Sequence, residues 1–277
     1  MVASAGMNIL ISGWGSIGQR HATNLENMGH RVLSFDPDVR PRPIGGVQSY
    51  SDGLKMASHV LIASPAKFHA PQAIKALEAG KEVFIEKPMA MDVKEGEAIM
   101  AAAEAAGKTV AVGYNWHAYK PLQYMRDFVK HFLLPAYIEL TYSGDKITWP
   151  GQCYDDLLLE CSHELSALRW LTTLPVSVIS AEVDSQKATL CYQGPDFEAV
   201  INLDWGSKYN FRSWKVLGRD FEVLWKFDYS NEIARMLLDD SYRDEISAWI
   251  SGKSICTGEA GLAVLRDIER IRELAAK

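Results

Sequence analysis

The chain has 277 residues, 48% of them apolar and 23% charged, with a formal net charge of −6 and a pI near 5.7. That is enough chain for one or two domains with sizeable cores, and the acidic balance argues against a nucleic-acid binder, which needs a basic face. No apolar run approaches the ~20 residues of a membrane helix. The opening residues lack the basic start and apolar stretch of a signal peptide, so a cytoplasmic protein away from membranes is expected. Cys153, Cys161, Cys191 and Cys256 are far apart and form no C-x-x-C pair, so they read as reduced thiols. No clustering of His or Cys along the chain marks a metal site, and none is expected.

The first element is the apolar run Ile9-Leu10-Ile11, which stops at Gly13. Gly13, Gly15 and Gly18 then fall at the spacing G-x-G-x-x-G. A helical pattern follows, with Ile17, Leu25 and Met28 near one face and Gly29 as its stop. Strand, tight turn and helix in this order suit a dinucleotide. The first glycine makes the turn, the second lets backbone approach a pyrophosphate, and the third lets the helix pack on the strand. The helix start offers free N–H groups to phosphate oxygens. Gly13, Trp14, Gly15, Ser16, Ile17 and Gly18 are therefore the expected cradle. A second strand, Arg31 to Phe35, ends on Asp36, which stands 18 residues after Gly18. That is close to the ~20 expected of the carboxylate that holds an adenosine ribose diol. A carboxylate repels a 2′-phosphate, so NAD(H) is preferred. NADP(H) stays open because Arg40 and Arg42 lie just beyond. The plainer alternative is a structural turn of another α/β domain.

Further strands are expected at His59–Ala63, Lys81–Ile85 and Thr109–Val112, alternating with helices, the longest from about Val93 to Ala106. Strands apolar throughout and alternating with helices predict a parallel sheet covered on both faces. The loops starting at Gly13, Asp36, Ser64, Glu86 and Gly113 should share one cleft at the strand ends. Past residue 118 the pattern changes. Helices are expected at Pro121–Phe132 and Asp155–Leu171. Strand patterns follow at Tyr137–Tyr142, Val178–Asp184, Ala188–Tyr192, Glu198–Trp205, Ser213–Leu217 and Glu222–Lys226. Two closing helices lie near Leu238–Ser251 and Glu259–Ala275. The expected architecture is an N-terminal Rossmann dinucleotide-binding domain, residues 1–117. An α+β domain with a mostly antiparallel sheet, residues 118–277, follows, its last helix free to pack back on the first.

Two groups stand out chemically. Lys87 follows a strand into the expected cleft with Pro88 fixing the backbone after it, which suits it to hold a reacting oxygen. A surface lysine is the plainer reading. At ~100° per residue, Asp156, Glu160, His163 and Ala167 fall on one side of their helix, opposite Leu157, Cys161, Leu165, Leu168 and Leu171. His163 suits general acid–base work, with Glu160 one turn away to orient it. A solvated His–Glu pair is the alternative. Trp149, Tyr154, Trp205 and Tyr209 are candidates to stack on a sugar ring, though such aromatics more often sit in a core.

These motifs together resemble the Gfo/Idh/MocA oxidoreductases. Gly13 to His21 looks like the family's glycine turn with its following Arg-His, and Glu86-Lys87-Pro88 matches its E-K-P. Asp156 to Leu171 is similar to its active-site helix, and Glu245–Lys253 with Gly258–Leu262 looks like its C-terminal helices. The likeness spans nearly the whole chain, although Glu160 stands where many members have Asp and the chain is short for the family. The resemblance implies an NAD(H)-dependent oxidoreductase acting on a ring hydroxyl or ketone of a sugar, sugar derivative or cyclitol. It implies Lys87 at the reacting oxygen and His163 as acid–base. It also implies that Pro65 and His69, in the loop past the third strand, line the cofactor, with Ser64, Glu86, Lys87 and Asn115 beside them; plain loop and helix-start residues are the alternative for Pro65, His69, Asn115 and the further candidate His117. It implies too that two or four copies associate through the second sheet. An imine or enone reductase, or a non-catalytic NAD-binding sensor, fits the same fold.

Overall fold

In the computed structural model the described residues are 6–39, 45–132, 137–145, 156–172 and 175–277. They form two compact units, Met1–Gly113 with Tyr242–Leu262, and Tyr114–Ser241 with Ala263–Lys277. The division falls four residues before the expected boundary, at 113 instead of 117. Residues 242–262 also join the first unit, because Ile246 and Trp249 enter the same core as Ile9, Ile11, Leu61 and Phe84.

The first unit alternates strands and helices: β1 (Asn8–Ser12), α1 (Ser16–Asn27), β2 (Arg31–Phe35), α2 (Tyr50–Met56), β3 (His59–Ile62), α3 (His69–Glu78), β4 (Glu82–Glu86), α4 (Val93–Ala106) and β5 (Val110–Gly113). The strands pair in parallel in the order β2-β1-β3-β4-β5. Ile9, Leu10, Ile11, Val60, Leu61, Ile62, Val83 and Ile85 are wholly buried, as strands covered on both faces must be. The order reverses at β1, flanked by β2 and β3, which is where such sheets take ligands. Asp92 caps α4 by accepting the Glu95 amide at 2.8 Å, and Gly107 ends it in the left-handed region. The edge of β5 is covered, since the Val112 N–H donates to the Cys256 carbonyl at 3.1 Å.

The second unit holds α5 (Lys120–Phe132), β6 (Tyr137–Asp145), α6 (Leu157–Glu160), α7 (Ser162–Thr172), β7 (Ser177–Val183), β8 (Lys187–Gln193), β9 (Glu198–Asp204), β10 (Gly206–Leu217) and β11 (Glu222–Phe227). Two further helices, α8 (Glu232–Ile250) and α9 (Gly258–Ala275), close the chain. The sheet runs β11-β10-β6-β9-β8-β7. All its pairs are antiparallel except β6–β9. Alternating burial along β8 and β9 puts one face in the core, and α7 packs on β6. Strand β10 begins seven residues earlier than its apolar alternation suggests, because its first half is polar and interrupted by an irregularity between Gly206 and Phe211. The core beside it is aromatic, with Trp214 stacked on Trp225 at 4.4 Å and Trp116 edge-on to Trp214 at 5.1 Å.

His117 belongs to this core. Its ring stacks on Trp170 at 5.1 Å, and its Nε2 meets the Ser166 hydroxyl at 2.9 Å. Burial pushes its pKa down to about 3, with the Ser166 carbonyl opposing and the Arg126 charge adding to the fall.

Two outcomes follow from this packing. Gly13 has φ +98°, and a Cβ there would lie 2.5 Å from the Ala63 and Ser64 backbone. Gly13→Ala should therefore cost about 2 kcal/mol or more, read as a lower denaturant midpoint. An unchanged midpoint would contradict the clamp described below. For His117 the folded pKa lies below the unfolded 6.5, so the unfolded state takes up a proton that the folded state refuses. Stability is full above pH 6.5 and falls toward pH 3, by up to about 1.4 kcal/mol per pH unit from this residue. His117→Gln should show a shallower acid slope in denaturant titrations at stepped pH.

Candidate active site

In the first unit the site starts where β1 ends. The Gly13 N–H donates to the Phe35 carbonyl at 2.9 Å, and the Trp14 N–H donates to Asp36 Oδ2 at 2.8 Å. The other Asp36 oxygen accepts the Asp38 N–H at 2.9 Å. A carboxylate has about four acceptor positions, so both oxygens keep capacity for a pair of hydroxyl donors. Gly15 heads α1 with no side-chain cap and no acid in the first turn. The first intrahelical bond is Gln19 N–H to the Gly15 carbonyl at 3.0 Å, which leaves the Ser16, Ile17 and Gly18 amides as the unused donors of the helix start. Gly15 and Ser16 are exposed, while Trp14 and Ile17 are half-buried. An anion-binding helix start beside a carboxylate fits a dinucleotide, whose pyrophosphate seeks the first and whose ribose diol seeks the second.

The loops after β3 and β4 are tied together. His69 is fully buried, with Nδ1 at 2.8 Å from the Pro88 carbonyl and Nε2 at 2.7 Å from the Ser64 carbonyl. Burial holds its pKa below the ordinary histidine value against the pull of the two carbonyls. Both ring nitrogens thus face backbone carbonyls, to one of which a neutral ring donates, and its role on this geometry is to brace the two loops. The Ser64 hydroxyl donates to Gln72 Oε1 at 2.9 Å, and Pro65 precedes a 3-10 turn at Ala66–Phe68. At the end of β4, Glu86 Oε1 lies 2.6 Å from His21 Nε2, and Glu86 Oε2 accepts the Lys87 N–H at 3.2 Å. Lys87, half-buried, joins Pro88 through a cis peptide. Although no sequence spacing suggested a metal-type cluster, the fold brings His21, Glu86 and Glu245 together, their ligand atoms all within 4.8 Å of one another. Glu245 escaped the sequence reading. Its one signal is a place on the buried side of α8, four residues after Ser241 and four before Trp249, all three buried.

In the second unit the expected helix from 155 to 171 is two. Asp156 caps α6 by accepting the Leu158 and Leu159 amides at 3.0 and 3.2 Å. Cys161 then leaves helical geometry, with ψ 18°, and its carbonyl accepts the Glu164 N–H at 3.1 Å as α7 begins. Glu160 therefore ends one helix and His163 lies in the first turn of the next, so the i,i+3 argument for pairing them on one helix does not hold. Both are half-buried, whereas Ala167, placed with them on the polar face, is wholly buried. The His163 ring sits edge-on to Tyr114 at 5.7 Å and to Trp116 at 6.4 Å. The next residue, Glu164, is wholly buried and accepts the Arg212 Nε–H at 2.6 Å. Arg212 also donates to the Tyr229 hydroxyl and lies over the Trp116 and Tyr142 rings at 5.0 and 4.4 Å. Burial alone would lower the Arg212 pKa; Glu164 and the tyrosine hydroxyls raise it. This buried pair fixes the start of α7 and hence the His163 backbone. Asn115 is buried and donates to the Ser241 hydroxyl at 3.0 Å. Of the aromatics expected to stack on a sugar, Trp205 is a core residue and Tyr209 is 79% exposed. Trp149 and Tyr154, like Arg40 and Arg42, lie outside the described residues.

Comparison with known proteins agrees with this geometry. Residues 7–114 match the family model for the oxidoreductase family with an NAD-binding Rossmann fold, Gfo/Idh/MocA. The inositol 2-dehydrogenase of Cereibacter sphaeroides is 29% identical over 203 residues, which cover 66% of this chain and 58% of that protein. The chain thus spans less than two thirds of the curated relatives it matches first. Among solved structures, myo-inositol 2-dehydrogenase from Lactobacillus plantarum has the same fold. It gives a TM-score of 0.83 at 17% identity, covering 98% of this chain and 97% of that one. So does the WlbA dehydrogenase from Bordetella pertussis, solved with NADH and UDP-GlcNAcA. Its TM-score is 0.82 at 17% identity, covering 100% and 97%. The likeness to the Gfo/Idh/MocA oxidoreductases is thus carried by residues 7–114, within the first unit.

Proposed function

We propose that the chain is an NAD(H)-dependent dehydrogenase that interconverts a ring hydroxyl and a ketone of a sugar, sugar derivative or cyclitol. The observation that carries this reading is the uncapped start of α1 beside the Asp36 carboxylate, which the Trp14 amide holds in place. The names of its relatives support the substrate class, since one acts on inositol and one structure holds a nucleotide sugar. Bound NAD(H) supplies or accepts the hydride. Gly13 to Gly18 hold the pyrophosphate, Asp36 the ribose diol, and Ser64, Pro65, Glu86 and Asn115 frame the remainder. The Lys87 ammonium binds the reacting oxygen, favours its negative charge and relays its proton. His163 is the general acid–base, its ring oriented by Tyr114 and Trp116, with Glu160 in support. The open face of the second sheet, which carries Thr189 and Asn202, is the surface for a second copy.

The test is turnover with NAD⁺ on a panel of cyclitols and nucleotide sugars. Wild-type chain should reduce NAD⁺ with at least one member. Lys87→Met should lower kcat by about 100-fold or more while NADH binding, read by fluorescence, stays saturable. Saturable NADH binding without turnover on any member would favour a sensor, and full activity in Lys87→Met would remove that residue from the chemistry.

A further inference from the structure

We propose that Glu245 is a positioning residue for the reaction proposed above: as a neutral carboxylic acid it leaves Glu86 the sole charge of a buried His21–Glu86–Glu245 cluster, and so holds the end of β4 from which Lys87 emerges. This role rests on the NAD-dependent reading; the protonation argument behind it does not.

The three side chains lie within the first unit, on α1, β4 and α8. His21 is wholly buried, and Glu245 is 5% exposed. Glu86 Oε2 accepts the Lys87 N–H at 3.2 Å, and Oε1 lies 2.6 Å from His21 Nε2; with the ring proton on Nε2 both oxygens accept, as those of an ionised carboxylate do. His21 Nδ1 has no hydrogen-bond partner. A neutral ring with its proton on Nε2 leaves only a bare acceptor there, whereas an imidazolium would bury an unbonded N–H. One negative charge is thus already present. Glu245 approaches it within 4.8 Å, and its Oε1 has no hydrogen-bond partner. Among the described residues, Glu86 is the charge that acts on Glu245, and no cation is recorded as doing so. Cys256 carries a thiol whose pKa burial and Glu245 raise. Tyr242, on the same helix, packs its ring on His21 and takes the Arg20 guanidinium on its face at 4.6 Å. A second buried carboxylate beside Glu86, without a cation of its own, holds its proton. Burial first and Glu86 second push its pKa well above the ordinary carboxylate value. Gly113 closes the cluster from β5, where a Cβ would stand 3.0 Å from the Glu86 carboxyl group.

A cation held by all three side chains is the competing use of the same atoms. Nitrogen and oxygen ligands at metal-bond lengths near 2.0–2.1 Å from one tetrahedral ion stand roughly 3 Å or more apart. The 2.6 Å contact between His21 and Glu86 is that of a shared proton.

The experiment compares unfolding of the full chain and of Glu245→Gln, without cofactor, from about pH 5 to 8. Unfolded Glu245 ionises near 4.5, while folded Glu245 keeps its proton. Wild-type stability from this group is therefore complete below pH 4.5 and is lost as pH rises through the folded pKa. Glutamine mimics the neutral acid and does not titrate. The folding constant of Glu245→Gln relative to wild type should rise about tenfold per pH unit until folded Glu245 ionises. A ratio that stays flat with pH overturns the proposal. So does a wild-type Tm raised by Zn²⁺ or Mn²⁺ and lowered by EDTA, with Glu245→Gln blind to both. Positioning is read separately by hydrogen exchange of the peptide covering Glu82 to Lys87. Glu245→Gln should keep wild-type protection and Glu245→Ala should lose it; equal protection in both means that Glu245 positions nothing. None of these readouts needs turnover, so a failure of the NAD reading shows in the assays above and leaves this result intact.

Discussion

The step from β1 into α1 is clamped from two sides, and the proposed nucleotide site depends on that clamp. The Gly13 amide is bonded to the Phe35 carbonyl of β2 and the Trp14 amide to the Asp36 carboxylate just beyond it. On the other side, the Ala63 amide donates to the Ser12 carbonyl at 2.7 Å, and the Gly13 backbone lies too close to Ala63 and Ser64 for any Cβ. Two neighbouring strands thus set the direction in which α1 leaves the sheet. The amides of its first turn then point outward with no internal acceptor. In the proposed reading a pyrophosphate would gain bonds there that the fold itself has not used, and Asp36 is held in register by the same turn.

Buried polar pairs do the corresponding work deeper in each unit. In the first, Glu86 and His21 join the end of β4 to α1, and His69 ties the loop after β3 to the Pro88 carbonyl. In the second, Arg212 and Glu164 lock the start of α7 against β10, with Trp116 and Tyr142 covering the guanidinium. Such pairs add little net stability compared with apolar packing, but they are costly to break and tolerate few geometries. Each lies next to a residue proposed for chemistry: Glu86 before Lys87, and Glu164 after His163. The stiffness of the site thus comes from its immediate neighbours in the chain.

Much of this was legible in the amino acids. The strands of the first sheet are largely apolar because both their faces are covered, and Gly13, Gly18 and Asp36 lie together at the turn that ends β1. Strands β8 and β9 alternate cleanly because only one face is buried. Other features depend on partners distant in sequence. The break at Cys161 carries no glycine or proline. Instead, Asp156 caps one short helix and a new one starts at Ser162. The parallel pairing of β6 with β9 follows from topology, and the polar first half of β10 has no period to read. Glu245 looks like one more charge on an acidic helix until His21 and Glu86 are placed beside it by α1 and β4.

The central claim, that the clamped turn and Asp36 form an NAD(H) site, is tested most directly by fluorescence titration of the protein with NADH and NADPH. Wild-type chain should bind NADH saturably and more tightly than NADPH. Asp36→Asn, which keeps the shape and loses the charge, should weaken NADH by about tenfold, the worth of hydrogen bonds to an ionised group, and narrow or reverse the preference. No saturable binding, or equal affinity for both nucleotides in both proteins, would contradict the account.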